Sequence, residues 1–322
     1  MMLSLKAKTL DDLLYNVLKS LIEEGLDVNP TKGKNKEIFG ACLVLENPRA
    51  RLSQTESKGK AFSAIGELLW YLSGSNNLDF IEYYLTKYGD YSDDGKTIHG
   101  GYGPRFWNNN NCDNQIQNII DLLSKKRNSR RAVIQLFDSS DLSEEYNDIP
   151  CTCTMQFVIR EGALKMSVYM RSNDAYIGLP HDIFCFTMLQ EIIARELGVE
   201  LAEYYHFVGS LHLYDNSLKL AEGYLKEGFQ SLNVEMPKIP DGSPFEQINL
   251  VLEIEKTLRD GKVIDIDNYK NLTKYWKDIV LLLQIHSKFK AKDYSSIDSL
   301  KKQLIYIDYE QIVEDKLRRI RL

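Results

Sequence analysis

Nothing in the 322-residue sequence approaches the roughly 18–20 consecutive apolar residues of a membrane span. The first residues, Met1-Met2-Leu3-Ser4-Leu5-Lys6, lack the apolar stretch of a secretory signal. A cytoplasmic protein is the expectation. Net positive charge is also missing. A formal charge of −6 gives no global nucleic-acid footprint and argues against a polymer substrate. A nucleotide held in a local basic pocket remains compatible with it. Cysteines are few: five, at positions 42, 112, 151, 153 and 185. An odd number without scaffold spacing reads as free thiols in a reducing compartment. Cys151-x-Cys153 would put two thiols on one side of a strand, but no second ligand pair follows, so no metal is expected. Repeats and low-complexity segments are absent.

What is present suffices for a sizeable core, with 43% hydrophobic and 27% charged residues. The length suits one large domain or two ordinary ones. Leu10, Leu13, Leu14, Val17, Leu18, Leu21 and Ile22 recur at helical spacing, with Thr9 and Asp12 resembling an N-cap and Gly25 ending the run. Ile38–Glu46 and Arg131–Phe137 read as strands. Phe62–Leu72, 114–125 and Ile183–Leu197 read as helices. Residues 154–170 form a hairpin about Arg160-Glu161-Gly162-Ala163, and 203–214 a further strand. Beyond about residue 230 the chain turns Lys/Glu-rich and mostly helical, with Tyr275–Phe289 the clearest amphipathic stretch. The mixture is α+β, one mixed sheet with packed helices, read as a single domain over 1–322.

Several residues stand out chemically. Cys151 follows a proline. A cysteine nucleophile works as the thiolate and needs donors or positive charge beside it, and the hairpin brings Arg171 near. A small core residue is the ordinary alternative. Arg171-Ser172 offers donors suited to a phosphate. Arg130-Arg131 follows the basic run Lys125-Lys126-Arg127, ordinarily a solvated face. Glu67 sits in Gly66-Glu67-Leu68-Leu69-Trp70-Tyr71-Leu72, where a carboxylate is costly without a partner or a purpose. Tyr102 lies in Gly100-Gly101-Tyr102-Gly103, whose glycines allow close approach of a ligand. His212-Leu213-Tyr214 puts two polar rings on one strand face, for binding or for packing on an edge strand.

The run Ile149-Pro150-Cys151-Thr152-Cys153-Thr154-Met155-Gln156-Phe157 and the run Tyr169-Met170-Arg171-Ser172-Asn173-Asp174-Ala175-Tyr176-Ile177-Gly178-Leu179-Pro180-His181-Asp182 together resemble the thymidylate synthase family. The resemblance extends from residue 38 to about 220, through five separated motifs in the right order. It implies a thymidylate synthase-like fold and a sheet-to-sheet homodimer. It implies Cys151 as nucleophile, Glu67 as an acid/base working through water, and Tyr102 beside both. It further implies Arg171 and Ser172 on the phosphate, joined by Arg130 and Arg131 of the partner chain. His212 and Tyr214 would take the sugar 3′-hydroxyl, with Gln156 also in the substrate site. Asp174 and Gly178 would touch the pterin of 5,10-methylenetetrahydrofolate as co-substrate, although Asp174 also suits a turn. Some features depart from the family. Thr152 replaces a histidine and Met170 a glutamine, and Gly209-Ser210 matches only in the glycine. The C-terminal Lys316-Leu317-Arg318-Arg319-Ile320-Arg321-Leu322 is not the usual apolar tail. The N-terminal phosphate arginine is missing, and a lysine of Thr31-Lys32-Gly33-Lys34 stands in as a point charge.

Asp182 occupies the place of the family's base-reading asparagine. A carboxamide matches uracil, accepting from N3–H and donating to O4. An aspartate suits cytosine, accepting from the N4 amino group and either donating to N3 or accepting from protonated N3. A carboxylate facing O4 of uracil is a mismatch worth several kcal/mol at order of magnitude. The alternative is a plain cap on a helix starting at Ile183. The expectation is therefore a cytidylate 5-hydroxymethyltransferase using methylenetetrahydrofolate and water. Small Ala175 would leave room for a 2′-hydroxyl and so favours CMP over dCMP. A divergent thymidylate synthase acting on dUMP, and a nucleotide-binding homologue without turnover, are the alternatives.

Overall fold

Apolar alternation builds the sheet and helical periodicity covers it. The computed structural model describes residues 2–30, 32–55, 61–108, 114–232 and 234–321. Thr31, Cys112 and Leu322 lie outside the described residues. The chain runs β1 (Leu3–Ala7), α1 (Leu10–Glu24), β2 (Leu26–Val28), β3 (Asn35–Leu45), α2 (Ala61–Leu72), α3 (Leu78–Tyr84), α4 (Tyr102–Trp107) and α5 (Gln115–Lys125). It continues β4 (Ala132–Gln135), β5 (Thr152–Arg160), β6 (Ala163–Asp174), α6 (Gly178–Glu196), β7 (Glu200–Tyr214), α7 (Asp215–Glu227) and α8 (Phe245–Arg259). It closes with α9 (Lys274–Lys290), α10 (Ile297–Lys301) and α11 (Ile307–Arg321). Among the described residues the strands form one seven-stranded sheet in the order β1-β3-β7-β6-β5-β4, with β2 also paired to β3. β1 is parallel to β3 and β6 to β7, while the other pairings are antiparallel. The sheet is mixed, as expected for α+β. β7 lies inside it, between β3 and β6, so His212 and Tyr214 are not on an edge strand.

The buried face of β6 runs through Leu164, Met166, Val168 and Met170, then changes phase to Asn173. β7 does the same, from Tyr204, His206 and Val208 to Leu211 and Leu213. A strict period of two would have turned Asn173 outward. The shift instead brings it to the helix side, under α6. The other face exposes Val133, Tyr169 and Phe207.

α1 starts where Thr9 Oγ1 accepts the amide of Asp12 at 3.2 Å, as its sequence indicates. α6 starts five residues earlier than the apolar run suggests. Asp174 Oδ1 accepts the amides of Tyr176 and Ile177 (2.8 and 3.0 Å), which turns the chain into the helix. Pro180 then falls in the first turn, where a missing N–H costs nothing. Asp182 is thus inside α6 and is no helix cap.

Expected amphipathic, α9 is buried almost all round. It packs against α2 and α8. His286 stacks on Tyr84 and Phe62 at ring separations of 5.0 and 5.8 Å. The Tyr84 hydroxyl donates to Glu255 of α8 at 2.9 Å. The C-terminal helices therefore support the helix that carries Glu67.

Candidate active site

Cys151 stands at the mouth of β5, fixed from β6. The Arg171 amide donates to the Cys151 carbonyl at 2.8 Å. Its guanidinium donates to the carbonyls of Pro150 and Ile149, both at 3.0 Å, and Nη2 lies 3.7 Å from Cys151 Sγ. Burial pushes the thiol up to about 11. Arg171 and Lys32 oppose that shift, while the charges of Asp148 and Asp182 add to it. Near neutral pH Cys151 therefore keeps its proton. Cys153 sits in a register irregularity between Thr152 and Thr154, so the two cysteines do not form a simple same-face pair.

Tyr102, at the start of α4, holds the adjacent residue. Its oxygen accepts the Thr152 amide at 3.1 Å and the Thr152 hydroxyl at 2.9 Å. The threonine that replaces a histidine is thereby bound to the tyrosine. Glu67 projects from α2 and accepts from Tyr71 at 2.7 Å and from Tyr88 at 3.3 Å, both on Oε1. Tyr71 lies four residues along the same helix, which is neighbour spacing. Burial raises the Glu67 carboxyl above its usual range, against those two hydrogen bonds. No residue among those described occupies Oε2.

Burial also raises the Asp182 carboxyl well above normal, reinforced by the charge of Glu67. Asn173 Nδ2 donates to Asp182 Oδ2 at 2.7 Å. Behind it, His206 Nε2 lies 3.0 Å from Asn173 Oδ1, and Tyr204 Oη lies 2.7 Å from His206 Nδ1. Gly178 packs closely against this pair. A Cβ on it would stand 3.0 Å from Asn173 Nδ2 and 3.4 Å from Asp182 Oδ2.

Cys151, Glu67, Tyr102, Arg171 and Asp182 thus lie together. Tyr214 joins them, since its hydroxyl feels Asp174 and Cys151. His212 is buried, packs edge-to-face on Tyr214 at 4.8 Å and donates from Nδ1 to the Ser210 carbonyl at 3.3 Å. Ser172 pairs with Ser210 across β6 and β7. Lys32 acts on Cys151 and Asp148, consistent with a substitute point charge. Asp174 makes the turn before α6, as one of its two readings held.

Other residues fall elsewhere. Gln156 alternates with buried Met155 and Phe157, so it faces away from the helix side, and its Nε2 donates to the Arg130 carbonyl at 2.8 Å. It is not in this chain's pocket. Ala175 is fully buried, and its amide donates to the His212 carbonyl at 2.8 Å. It lines no open space, so the expected room for a 2′-hydroxyl is not met there. Arg130 and Arg131 are exposed. The next residue, Ala132, pairs with Phe157. Phe157 is six strand positions, about 20 Å, from Cys151. These arginines cannot serve their own chain's cysteine.

Sequence reading missed Asp148, Asn173, His206, Tyr204, Tyr71 and Tyr88. Burial raises the Asp148 carboxyl to about 6, against Lys32, Arg171, His99 and Arg105. An acid three residues before Cys151 was the available signal. Tyr204 and His206 share a face by simple alternation, whereas Asn173 was hidden by the phase change. At the chain end, Lys316 of α11 lies over the rings of Phe62 and Phe289, at 4.4 and 4.6 Å. The non-matching C-terminus thus packs against the first turn of α2.

Three curated phage proteins are similar to this chain, each called a deoxyuridylate hydroxymethyltransferase. That of Bacillus phage SP01 is 32% identical over 252 residues, covering 73% of this chain and 65% of the relative. That of Delftia phage PhiW-14 is 32% identical over 214 residues, 62% and 57% of the two chains. That of Pseudomonas phage M6 is 34% identical over 222 residues, 66% and 62%. The chain spans less than two thirds of the length of these relatives. The family model described as thymidylate synthase matches residues 14–270, most of the chain, and together with the convergence about Cys151 this shows that the chain belongs to the thymidylate synthase family.

Proposed function

We propose that this protein is a folate-dependent pyrimidine nucleotide 5-hydroxymethyltransferase, and that its pyrimidine is cytosine. The hydroxymethyl outcome is supported by the names of the three phage relatives. The cytosine reading is carried by one observation. An aspartate, not a carboxamide, is buried at the base-reading position and hydrogen-bonded to Asn173.

Methylenetetrahydrofolate as co-substrate would supply a one-carbon unit at the oxidation level of formaldehyde. Exposed Ile177 and unsubstituted Gly178 at the mouth of α6 offer a surface that suits a flat ring. Cys151 Sγ loses its proton and adds to C6 of the pyrimidine, which makes C5 nucleophilic. Asp182 stabilises the charge that spreads over N3 and the C4 substituent. Arg171 and Ser172 hold the phosphate, with Arg130 and Arg131 of a second copy completing that site. Glu67, with Oε2 open, positions the water that adds to the exocyclic methylene at C5. That methylene forms when C5, having taken up the one-carbon unit, loses its proton as tetrahydrofolate departs; addition of water to it with departure of Cys151 from C6 then restores the aromatic ring. The sum is cytidylate, methylenetetrahydrofolate and water giving 5-hydroxymethylcytidylate and tetrahydrofolate.

The relatives' names favour a second reading, the same chemistry on deoxyuridylate. The raised Asp182 carboxyl is relevant to it, because a neutral acid carries one donor and one acceptor, as an amide does. The test is a product assay with methylenetetrahydrofolate and CMP, dCMP or dUMP, read by mass spectrometry. A gain of CH2O on a cytidylate supports the proposal and names the sugar. The same gain on dUMP alone selects the second reading. A gain of CH2 on dUMP would make the protein a synthase.

A further inference from the structure

We propose that Tyr204, His206 and Asn173 form a relay of fixed hydrogen-bond polarity that decides which oxygen of Asp182 carries a proton, and hence which pyrimidine edge Asp182 reads. The inference rests on Asp182 facing the base, as in the proposed function.

A neutral carboxylic acid differs from an amide in one respect: its proton can sit on either oxygen. Cytosine needs a donor opposite ring N3 and an acceptor opposite the exocyclic N4. Uracil needs the reverse, an acceptor opposite N3–H and a donor opposite exocyclic O4. An acid free to move its proton between oxygens matches both. Discrimination between the bases then requires that the proton be held on one side.

The three residues behind Asp182 supply that constraint. Tyr204 and His206 are fully buried, and Asn173 and Asp182 are 4% and 9% exposed. Their hydrogen bonds are therefore set chiefly by one another. The contacts are 2.7 Å from Tyr204 Oη to His206 Nδ1, 3.0 Å from His206 Nε2 to Asn173 Oδ1, and 2.7 Å from Asn173 Nδ2 to Asp182 Oδ2. Roles follow from the partners. The Tyr204 hydroxyl donates to Nδ1. The ring, kept neutral by burial that pushes it down to about 3, donates from Nε2 to the Asn173 carbonyl. The Asn173 amide then donates to Oδ2, so the proton of the acid resides on Oδ1. The reverse polarity has Nδ1–H facing the tyrosine oxygen. The buried Tyr204 hydroxyl then needs another acceptor, and none is found among the described residues. It also consumes the one proton of Asp182 on Asn173. Gly178 lets the loop close over the Asn173–Asp182 contact.

The experiment measures Kd for CMP, dCMP and dUMP by calorimetry on the full-length protein without folate. His206→Leu removes the relay, His206→Gln restores a donor toward Asn173, and Tyr204→Phe is the mild second variant that keeps the packing. Circular dichroism checks the fold of each. The expected result is a ratio of cytidylate to uridylate affinity that falls about tenfold or more in His206→Leu, falls less in Tyr204→Phe, and recovers in His206→Gln. A folded Tyr204→Phe or His206→Leu protein with the wild-type ratio overturns the relay, whatever happens to absolute affinity. So does a wild type that binds both bases equally. A wild type that prefers dUMP, with a ratio that collapses in the variants, keeps the relay and removes the cytosine reading. A wild type that binds no pyrimidine nucleotide removes both.

Discussion

At the scale of single residues the site is governed by burial. Cys151 has a cation 3.7 Å away and still keeps its proton, because desolvation outweighs one guanidinium already committed to two carbonyls. Asp148 adds to the same side. With its carboxyl near 6 it is mostly ionised at pH 8, and that negative charge disfavours the thiolate. Asp148→Asn should therefore lower the Cys151 pKa and speed alkylation by iodoacetamide at pH 8, by up to about tenfold. An unchanged or slower reaction, followed by mass spectrometry at Cys151, would show that Asp148 does not act on the sulfur.

At the scale of elements, α2 is the part with least tolerance. Gly66 lies against the Tyr84 ring so closely that a Cβ would fall 2.1 Å from its Cγ. The ring is held by Glu255 and by His286 and cannot retreat. Gly66→Ala should cost about 2 kcal/mol or more, as overpacking does. Gly223 in α7 has no atom within 4 Å of the same added group. Gly223→Ala should stabilise by about 0.5–1 kcal/mol through helix propensity. Urea unfolding of the two variants reads both. Equal shifts of the same sign would refute the packing argument for α2.

At the scale of the whole molecule, one feature looks beyond the single chain and a second belongs to the chain itself. The open sheet face exposes Val133, Tyr169 and Phe207, and Arg130 and Arg131 lie about 20 Å from Cys151 of their own chain. If a second copy covers that face, Cys151→Ser and the Arg130→Ala/Arg131→Ala double variant are each inactive. Their equimolar mixture, after subunit exchange, should regain about a quarter of the wild-type sites. No regain in a mixture shown to exchange would place the arginines outside the site. The second feature is acid sensitivity. His286, buried against Phe62 and Tyr84, is pushed down to about 3, first by burial and then by Lys316. Its unfolded value is near 6.5, so the stability it contributes is complete above that pH and is lost as pH falls toward 3. Raised carboxyls such as Asp148 act in the opposite sense. His286→Gln should therefore flatten the stability–pH slope between pH 6 and 4 by up to about 1.4 kcal/mol per unit. A slope equal to wild type would mean that the folded protein accepts the proton on that ring.

The sequence by itself determined the elements whose signal is local. These are α1 with its Thr9 cap, the hairpin of β5 and β6, α2 with a carboxylate among apolar residues, and the cysteine, arginine and aspartate that make the site legible. Each depends on neighbours within a few positions, so pattern and propensity suffice. Tertiary structure decided what depends on distant partners. The phase change in β6 and β7 turned Asn173 inward, and a side-chain turn at Asp174 began α6 early and put Asp182 within the helix. Gln156 and Ala175 were read into the pocket by resemblance and left it because register and burial, fixed across strands, face them elsewhere. The stretch Tyr275–Phe289 read as amphipathic and α9 became core, because α2 and α8 offered it surfaces that no local pattern records.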